Sequence, residues 1–464
     1  MAEKPKLASQ LFKNDPRIDE AKRLVLEALK DHQAPLTQIR PPQKEAAQNY
    51  KDMLDAFNEL RGAPLYFPYL GSGFGKGALV ELLDGSVKYD MISGIGPHYW
   101  GHSHPDIITV AIEAALNDTV MQGHLQQGTE AFQFSKILVE ASGMDHCFLS
   151  SSGAMANENA LKLAFQKKFP ANRVLAFEKC FMGRTTTLSQ VTDKPSFREG
   201  LPQSIAVDYV PFYREEEPEE STKQAVQTLR RHLARYPKQH AVMCFELVQG
   251  EGGFHCGTTH FFKALMTVLK EHDITIFVDE VQTFGRTTQL FAYRHFELEE
   301  FVDLVSIGKL SQVCATLFKS NFKPKAGLLS QTFTSSTVAM QVGLAIVDHL
   351  LTGRYFGPDG KIAHIHTLFV EGFERLQKTY PGSVQGPYGI GSMLAFTPFD
   401  GNIQRVTQFI QDLFQAGVIS FIAGSNPARV RFLIPVGAIT VKDIEHVMDI
   451  IEGVIKMNRD ARIP

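Results

Sequence analysis

Ile274-Thr275-Ile276-Phe277-Val278-Asp279-Glu280-Val281-Gln282 decides how this chain is read. A short, apolar, β-branched run that halts at two acids predicts a buried parallel strand with a carboxylate at its carboxyl end. Val302 to Ile307 is a second such run, and it leads through Gly308 into Lys309. In open α/β sheets the ligand occupies the crevice beyond the carboxyl ends of the strands, so Asp279 and Lys309 are expected to face one pocket. That placement suits pyridoxal phosphate chemistry: the amine forms a Schiff base with the aldehyde, and the acid keeps the pyridinium nitrogen protonated. An ordinary acid and lysine at strand ends would leave the same trace, so these two residues alone keep both readings open.

Working outward, His146–Ser150, Arg173–Phe177 and Ala241–Val248 are further strand-like segments, and all five alternate with helical stretches. Such alternation predicts a mostly parallel sheet with helices on both faces. Ser151-Ser152-Gly153-Ala154 opens the helix Met155 to Phe169, where free N–H groups and the positive dipole end make an anion site. Serines before a helix also serve as simple caps. In Cys180-Phe181-Met182-Gly183-Arg184-Thr185 the phenylalanine could stack on a planar ring and the arginine could clamp a carboxylate. Gln249-Gly250-Glu251-Gly252-Gly253 suits close backbone approach, with Glu251 at the same crevice edge. Each group follows a strand's carboxyl end, and that convergence carries more weight than any one of them.

The remaining chain sets limits. Its 464 residues predict two domains, and 44% hydrophobic with 21% charged residues is ordinary for a soluble enzyme. A formal charge of −3 argues against a general nucleic-acid binder. The five cysteines have no CxxC spacing, which points to a reducing compartment, and with no leader or membrane-length apolar run a cytoplasmic protein is expected. Arg17 to Lys30 and Gln43 to Arg61 read as polar helices without identifiable chemistry, either an arm across a partner or a solvated extension. Gly71 to Gly77 resembles a phosphate loop in composition but lacks its GK[ST] ending, so it is read as a turn before the hairpin Ala78 to Met91. His98, His102 and His104 invite a metal, but no acid or cysteine completes a ligand set nearby in sequence, and a tight loop with no metal is expected. The acidic run Glu215 to Glu220 reads as a solvated loop. From about residue 345 the helix Val342 to Leu351, the strand Arg429 to Pro435 and the helix Val441 to Met457 predict a smaller α+β domain.

Taken in order, Gly101-His102-Ser103-His104-Pro105, Ser152-Gly153-Ala154-Met155-Ala156-Asn157-Glu158, Phe181-Met182-Gly183-Arg184-Thr185, Val248-Gln249-Gly250-Glu251-Gly252, Asp279-Glu280-Val281-Gln282-Thr283, Gly308-Lys309, Thr332-Phe333 and Val430-Arg431-Phe432 carry a family resemblance over roughly residues 65 to 455. The chain resembles a class III (ω-) aminotransferase, and its lysine segment looks most like the lysine 6-aminotransferase branch. The resemblance implies an α/β, aspartate aminotransferase-like architecture, the type I pyridoxal phosphate fold. Residues 1–90 would be an N-terminal arm and part of the small domain, 91–345 the large cofactor domain, and 346–464 the C-terminal small domain. It also implies Lys309 as the Schiff-base lysine and Asp279 as the pyridinium partner. Gln282 would meet the ring hydroxyl and Phe181 the ring face; Ser152, Gly153 and Ala154 would hold the phosphate, with Thr332 reaching the partner subunit's cofactor in a homodimer. Arg184 and Arg431 would take the carboxylates of 2-oxoglutarate, and Glu251 would neutralise Arg431 when an ω-amino substrate enters. The chain departs from the pattern at Thr334-Ser335-Ser336, in the shortened Asp279-to-Arg286 turn, and at Met155 and Met182.

The expected reaction is transfer of a terminal amino group from lysine or a similar ω-amino acid to 2-oxoglutarate. Ornithine, acetylornithine and 4-aminobutyrate are alternative donors. A semialdehyde aminomutase would share the lysine and aspartate but need no second substrate, and a non-catalytic binding protein on this scaffold is a third reading. Donor identity, metabolic direction and the role of the first 60 residues are not legible in the sequence.

Overall fold

In a computed structural model, which describes residues 7–118, 121–123 and 125–460, the run ending at Asp279 forms the strand Thr275–Glu280, buried along its whole length. It lies inside a seven-stranded sheet in the order His146–Ser150, Cys314–Phe318, Leu304–Ile307, Thr275–Glu280, His240–Phe245, Arg173–Phe177, Ala206–Val210. Six strands share one direction, and Cys314–Phe318 runs against both its neighbours. Strands covered on both faces have no solvent side to mark with polar residues, which is why the inner ones read as unbroken apolar runs. Asp279 pairs with Ser306 and Glu280 with Ile307, so both acids and Lys309 leave the sheet at one edge.

The helix Gly153–Lys168 packs across the inner strands. Ser152 Oγ accepts from Met155 N at 3.2 Å and caps its start, and its end falls just before Pro170, which disfavours helical geometry in the residue preceding it. The small buried residues Ala156, Ala160 and Ala164 let it lie close to the sheet. At its first residue the fit is tight: a Cβ on Gly153 would stand 2.8 Å from Val281 Cγ1, so only glycine is accommodated. Helices Pro218–Arg235 and Thr259–Glu271 pack on one another and on strands Ala206–Val210 and Thr275–Glu280.

After the helix Thr337–Thr352, an antiparallel sheet follows in the order Val384–Tyr388, Met393–Pro398, Arg429–Leu433, Phe421–Ala423, with helices Lys361–Thr379 and Ile403–Ala416 packed on it and Val441–Asp460 on those helices. Arg286 Nη1 donates to Ile434 O at 3.2 Å, tying this sheet to the turn that follows Thr275–Glu280, and Leu433 N donates to Met91 O at 2.8 Å, just after the strand Val87–Asp90. No described helix is long and apolar enough to cross a membrane.

Several expectations are corrected. Gly71–Lys76 is a strand paired with Leu79–Leu82 rather than a turn, with an irregular register between Gly71 and Gly75; glycines leave no side-chain alternation to read. Strands Ala206–Val210 and Cys314–Phe318 went unread, the first because it is a half-buried edge, the second because no helix separates it from the lysine turn. The acidic run is only partly a loop: a helix begins at Pro218, with Glu219 and Glu220 in its first turn, where the dipole favours them.

Candidate active site

A cavity of about 300 Å³ opens at the ligand edge, lined by seven of the sequence-derived residues: Gly153, Ala154, Phe181, Arg184, Asp279, Gln282 and Lys309. Asp279 is 8% exposed and both its oxygens are engaged. Oδ1 accepts from Val281 N at 2.8 Å and Oδ2 from Asn157 Nδ2 at 2.7 Å. Burial raises its pKa, while these donors and the Lys309 amine pull the other way. Lys309 sits in the turn after Ile307 with φ +54°, a backbone conformation costing an L residue roughly 1–3 kcal/mol. Burial depresses the pKa of its amine, and Asp279 opposes that shift. A lysine poised below its ordinary value is suited to accept a proton.

Two loops are fixed from below by a residue sequence reasoning missed. Glu246, buried, accepts from Phe181 N at 2.7 Å and Gly250 N at 3.2 Å, so it holds both the aromatic loop and the Glu251 loop. Burial, reinforced by Asp279, pushes its carboxyl up to about 8. Its signal was present: an acid inside the apolar run Ala241 to Val248. Asn157 and Phe197 were missed as well, and neither a lone asparagine in a helix nor a phenylalanine ending the short 3-10 turn Pro195–Phe197 gives such a signal.

Gln282 lies directly against Gly250, where any side chain would collide with its carboxamide, and its Oε1 accepts from Arg431 Nη1 at 3.4 Å. Arg431 has no exposed surface, and its Nη2 meets Glu251 Oε1 at 2.5 Å. Arg184 is exposed, with its guanidinium 4.0 Å from the Phe197 ring centre. Ser152 is exposed and its hydroxyl is occupied in capping the helix. Thr332 is also exposed, lies against Gly123, and does not line this chain's cavity. The histidines go to separate partners. His102 Nε2 meets Asp90 Oδ2 at 3.0 Å, an acid the fold brings near that sequence spacing had not offered; His98 lies ring to ring with His102, and His104 caps a helix.

The family model for aminotransferase class-III matches residues 73–455. The chain is a class III aminotransferase. It is 27% identical to acetylornithine aminotransferase of Methanocaldococcus jannaschii over 377 residues, 78% of this chain and 87% of that one. The lysine aminotransferase from M. tuberculosis superposes with TM-score 0.76 at 22% identity, covering 87% of this chain and 99% of that one. Taurine:2-oxoglutarate aminotransferase from Bifidobacterium kashiwanohense, solved in complex with PLP and glutamate, gives 0.78 at 17% identity over 88% and 98%. The enzyme therefore has the aspartate aminotransferase-like, type I fold and is pyridoxal phosphate-dependent. Its cavity fits that cofactor: a buried carboxylate, a lysine amine, an aromatic wall and a helix N-terminus that Gly153 keeps free of side chain meet around one space.

Proposed function

We propose that this enzyme moves the terminal amino group of lysine, or of a similar ω-amino acid, to 2-oxoglutarate, giving a semialdehyde and glutamate, as a cytoplasmic homodimer with its active sites at the subunit interface. The observation that carries the reading is the Arg431–Glu251 pair at 2.5 Å beside the cavity of Lys309 and Asp279. A free buried arginine would always select an α-carboxylate; one neutralised by a movable acid admits the amino end of an ω-donor and is released when the keto acid arrives.

Pyridoxal phosphate, when bound, supplies an aldehyde for the amine and a protonated ring that withdraws electrons. Asp279 would keep the ring nitrogen protonated, Gln282 would meet the ring hydroxyl, and Phe181 would wall the ring. Ser152, Gly153 and Ala154 would hold the phosphate, with Thr332 serving the partner subunit's cofactor. Lys309 Nζ takes the proton from the carbon that bears the donor amine. Arg184 receives the donor carboxylate and, with Arg431, the two carboxylates of 2-oxoglutarate.

The test is the visible absorption of purified protein before and after lysine, beside Lys309→Ala. Wild type should show a cofactor band that lysine discharges and 2-oxoglutarate restores, with glutamate formed; Lys309→Ala should lack turnover. A band that ignores lysine but is discharged by ornithine, acetylornithine or 4-aminobutyrate would move the donor to that compound. Turnover of an amino semialdehyde without 2-oxoglutarate would replace transamination by an aminomutase.

A further inference from the structure

Asn157 lies near the start of the helix Gly153–Lys168, 2% exposed, and its amide nitrogen has two acceptors: Asp279 Oδ2 at 2.7 Å and Met182 O at 2.7 Å. Both amide protons are used, while Asn157 Oδ1 is buried without a hydrogen-bond partner. Turning the amide over would set that oxygen against a carboxylate and a carbonyl, so its surroundings dictate the orientation. An orphaned buried oxygen is costly, and an aliphatic residue would fill this helix face without it. What the asparagine gains is the bridge between the acid and the loop.

We infer that Asn157 is a positioning residue: by joining Asp279 Oδ2 to the Met182 carbonyl, it fixes the carboxylate that pairs with the cofactor's ring nitrogen and anchors the loop that carries Phe181. The inference rests on the roles proposed above for Asp279 and Phe181. Asp279 must stay ionised in a buried place, where the Lys309 amine favours its charge; burial and that charge in turn raise the carboxyls of Glu246 and of Glu280, the next residue on its own strand, and the Cys244 thiol on the adjacent strand. The Ser306 hydroxyl stands across from it on the next strand. Val281 N and the Asn157 amide are the two donors bonded to its oxygens. Removing the amide raises the proton affinity of Asp279, so more of the proton shared with the ring nitrogen moves to the acid, and the ring withdraws electrons less well.

The experiment uses holoenzyme loaded with pyridoxal phosphate labelled with ¹⁵N in the ring, whose chemical shift reads protonation directly, together with kcat and KM. In Asn157→Ala the ring-nitrogen signal should move toward the unprotonated value. kcat should fall about tenfold, the scale of one hydrogen bond to a charged group, with donor KM nearly unchanged. Asn157→Asp keeps the volume but sets two carboxyls at hydrogen-bond distance, so they must share a proton and the nitrogen signal should gain a pH-dependent step absent from wild type. If alanine prevents folding, the aspartate variant decides. Wild-type nitrogen shift and kcat in the folded variants would reduce Asn157 to packing and overturn the inference. An unprotonated ring nitrogen in wild type would instead sink the role proposed for Asp279, and this inference with it.

Discussion

Arg431 and Arg184, both proposed to receive substrate carboxylates, live in opposite surroundings. Arg431 has no exposed surface, bonds Glu251 at 2.5 Å and reaches Gln282 at 3.4 Å. Arg184 is exposed and lies over an aromatic ring, Phe197. A buried guanidinium is stabilised by a counter-charge, and in the proposed function the acid that supplies it also masks the arginine. An arginine that keeps its water and borrows only the face of a ring stays available to any carboxylate. The proposed function needs this asymmetry: one arginine that always accepts a carboxylate and one that accepts it only when Glu251 withdraws.

The largest break in the comparison is Arg431→Met. It leaves Glu251 without its cation and should lower kcat/KM for 2-oxoglutarate about a hundredfold, corresponding to one or two charged hydrogen bonds, with the lysine half-reaction affected far less. Separate half-reactions followed by single-turnover absorbance read the two effects apart. Equal losses in both would mean that Arg431 does not distinguish the substrates. Glu251→Gln breaks the comparison from the other side. Arg431 then has no compensating acid at any stage, and kcat/KM for the ω-donor should fall about tenfold while the glutamate half-reaction is kept. The ratio of the two kcat/KM values is the measurement, and an unchanged ratio would remove the gate from the proposal.

How much of this was legible depends on what kind of signal each residue leaves. Asp279 and Lys309 follow buried parallel strands, and such strands advertise themselves as apolar runs, so the place of both residues at one sheet edge could be read. Cys314–Phe318 could not, because it follows the lysine turn directly and alternation with helices was the marker in use. Glu246 was readable in principle as an acid interrupting an apolar run. Asn157 was not: its partner Asp279 is 122 residues away, and only the packing of the helix on the sheet brings them together. The pairing of Arg431 with Glu251 was legible through family motifs alone, since nothing in either local sequence points to the other across 180 residues.

The smallest effect tests the exposed half of the comparison. The Phe197 ring lies 4.0 Å from the Arg184 guanidinium and 4.6 Å from the Lys194 ammonium, and meets Phe181 edge to face at 6.3 Å. An exposed cation over an aromatic face is worth about 0.5–1 kcal/mol, so Phe197→Leu should raise donor KM roughly two- to fivefold. kcat should change little, because the ring touches neither Lys309 nor Asp279. Arg184→Gln should raise the same KM further, and adding Phe197→Leu to it should cost nothing more if the ring acts only through the arginine. Additive losses in the double variant would instead show that Phe197 shapes the donor pocket itself, and the open arginine would then owe its position to something other than the ring beneath it.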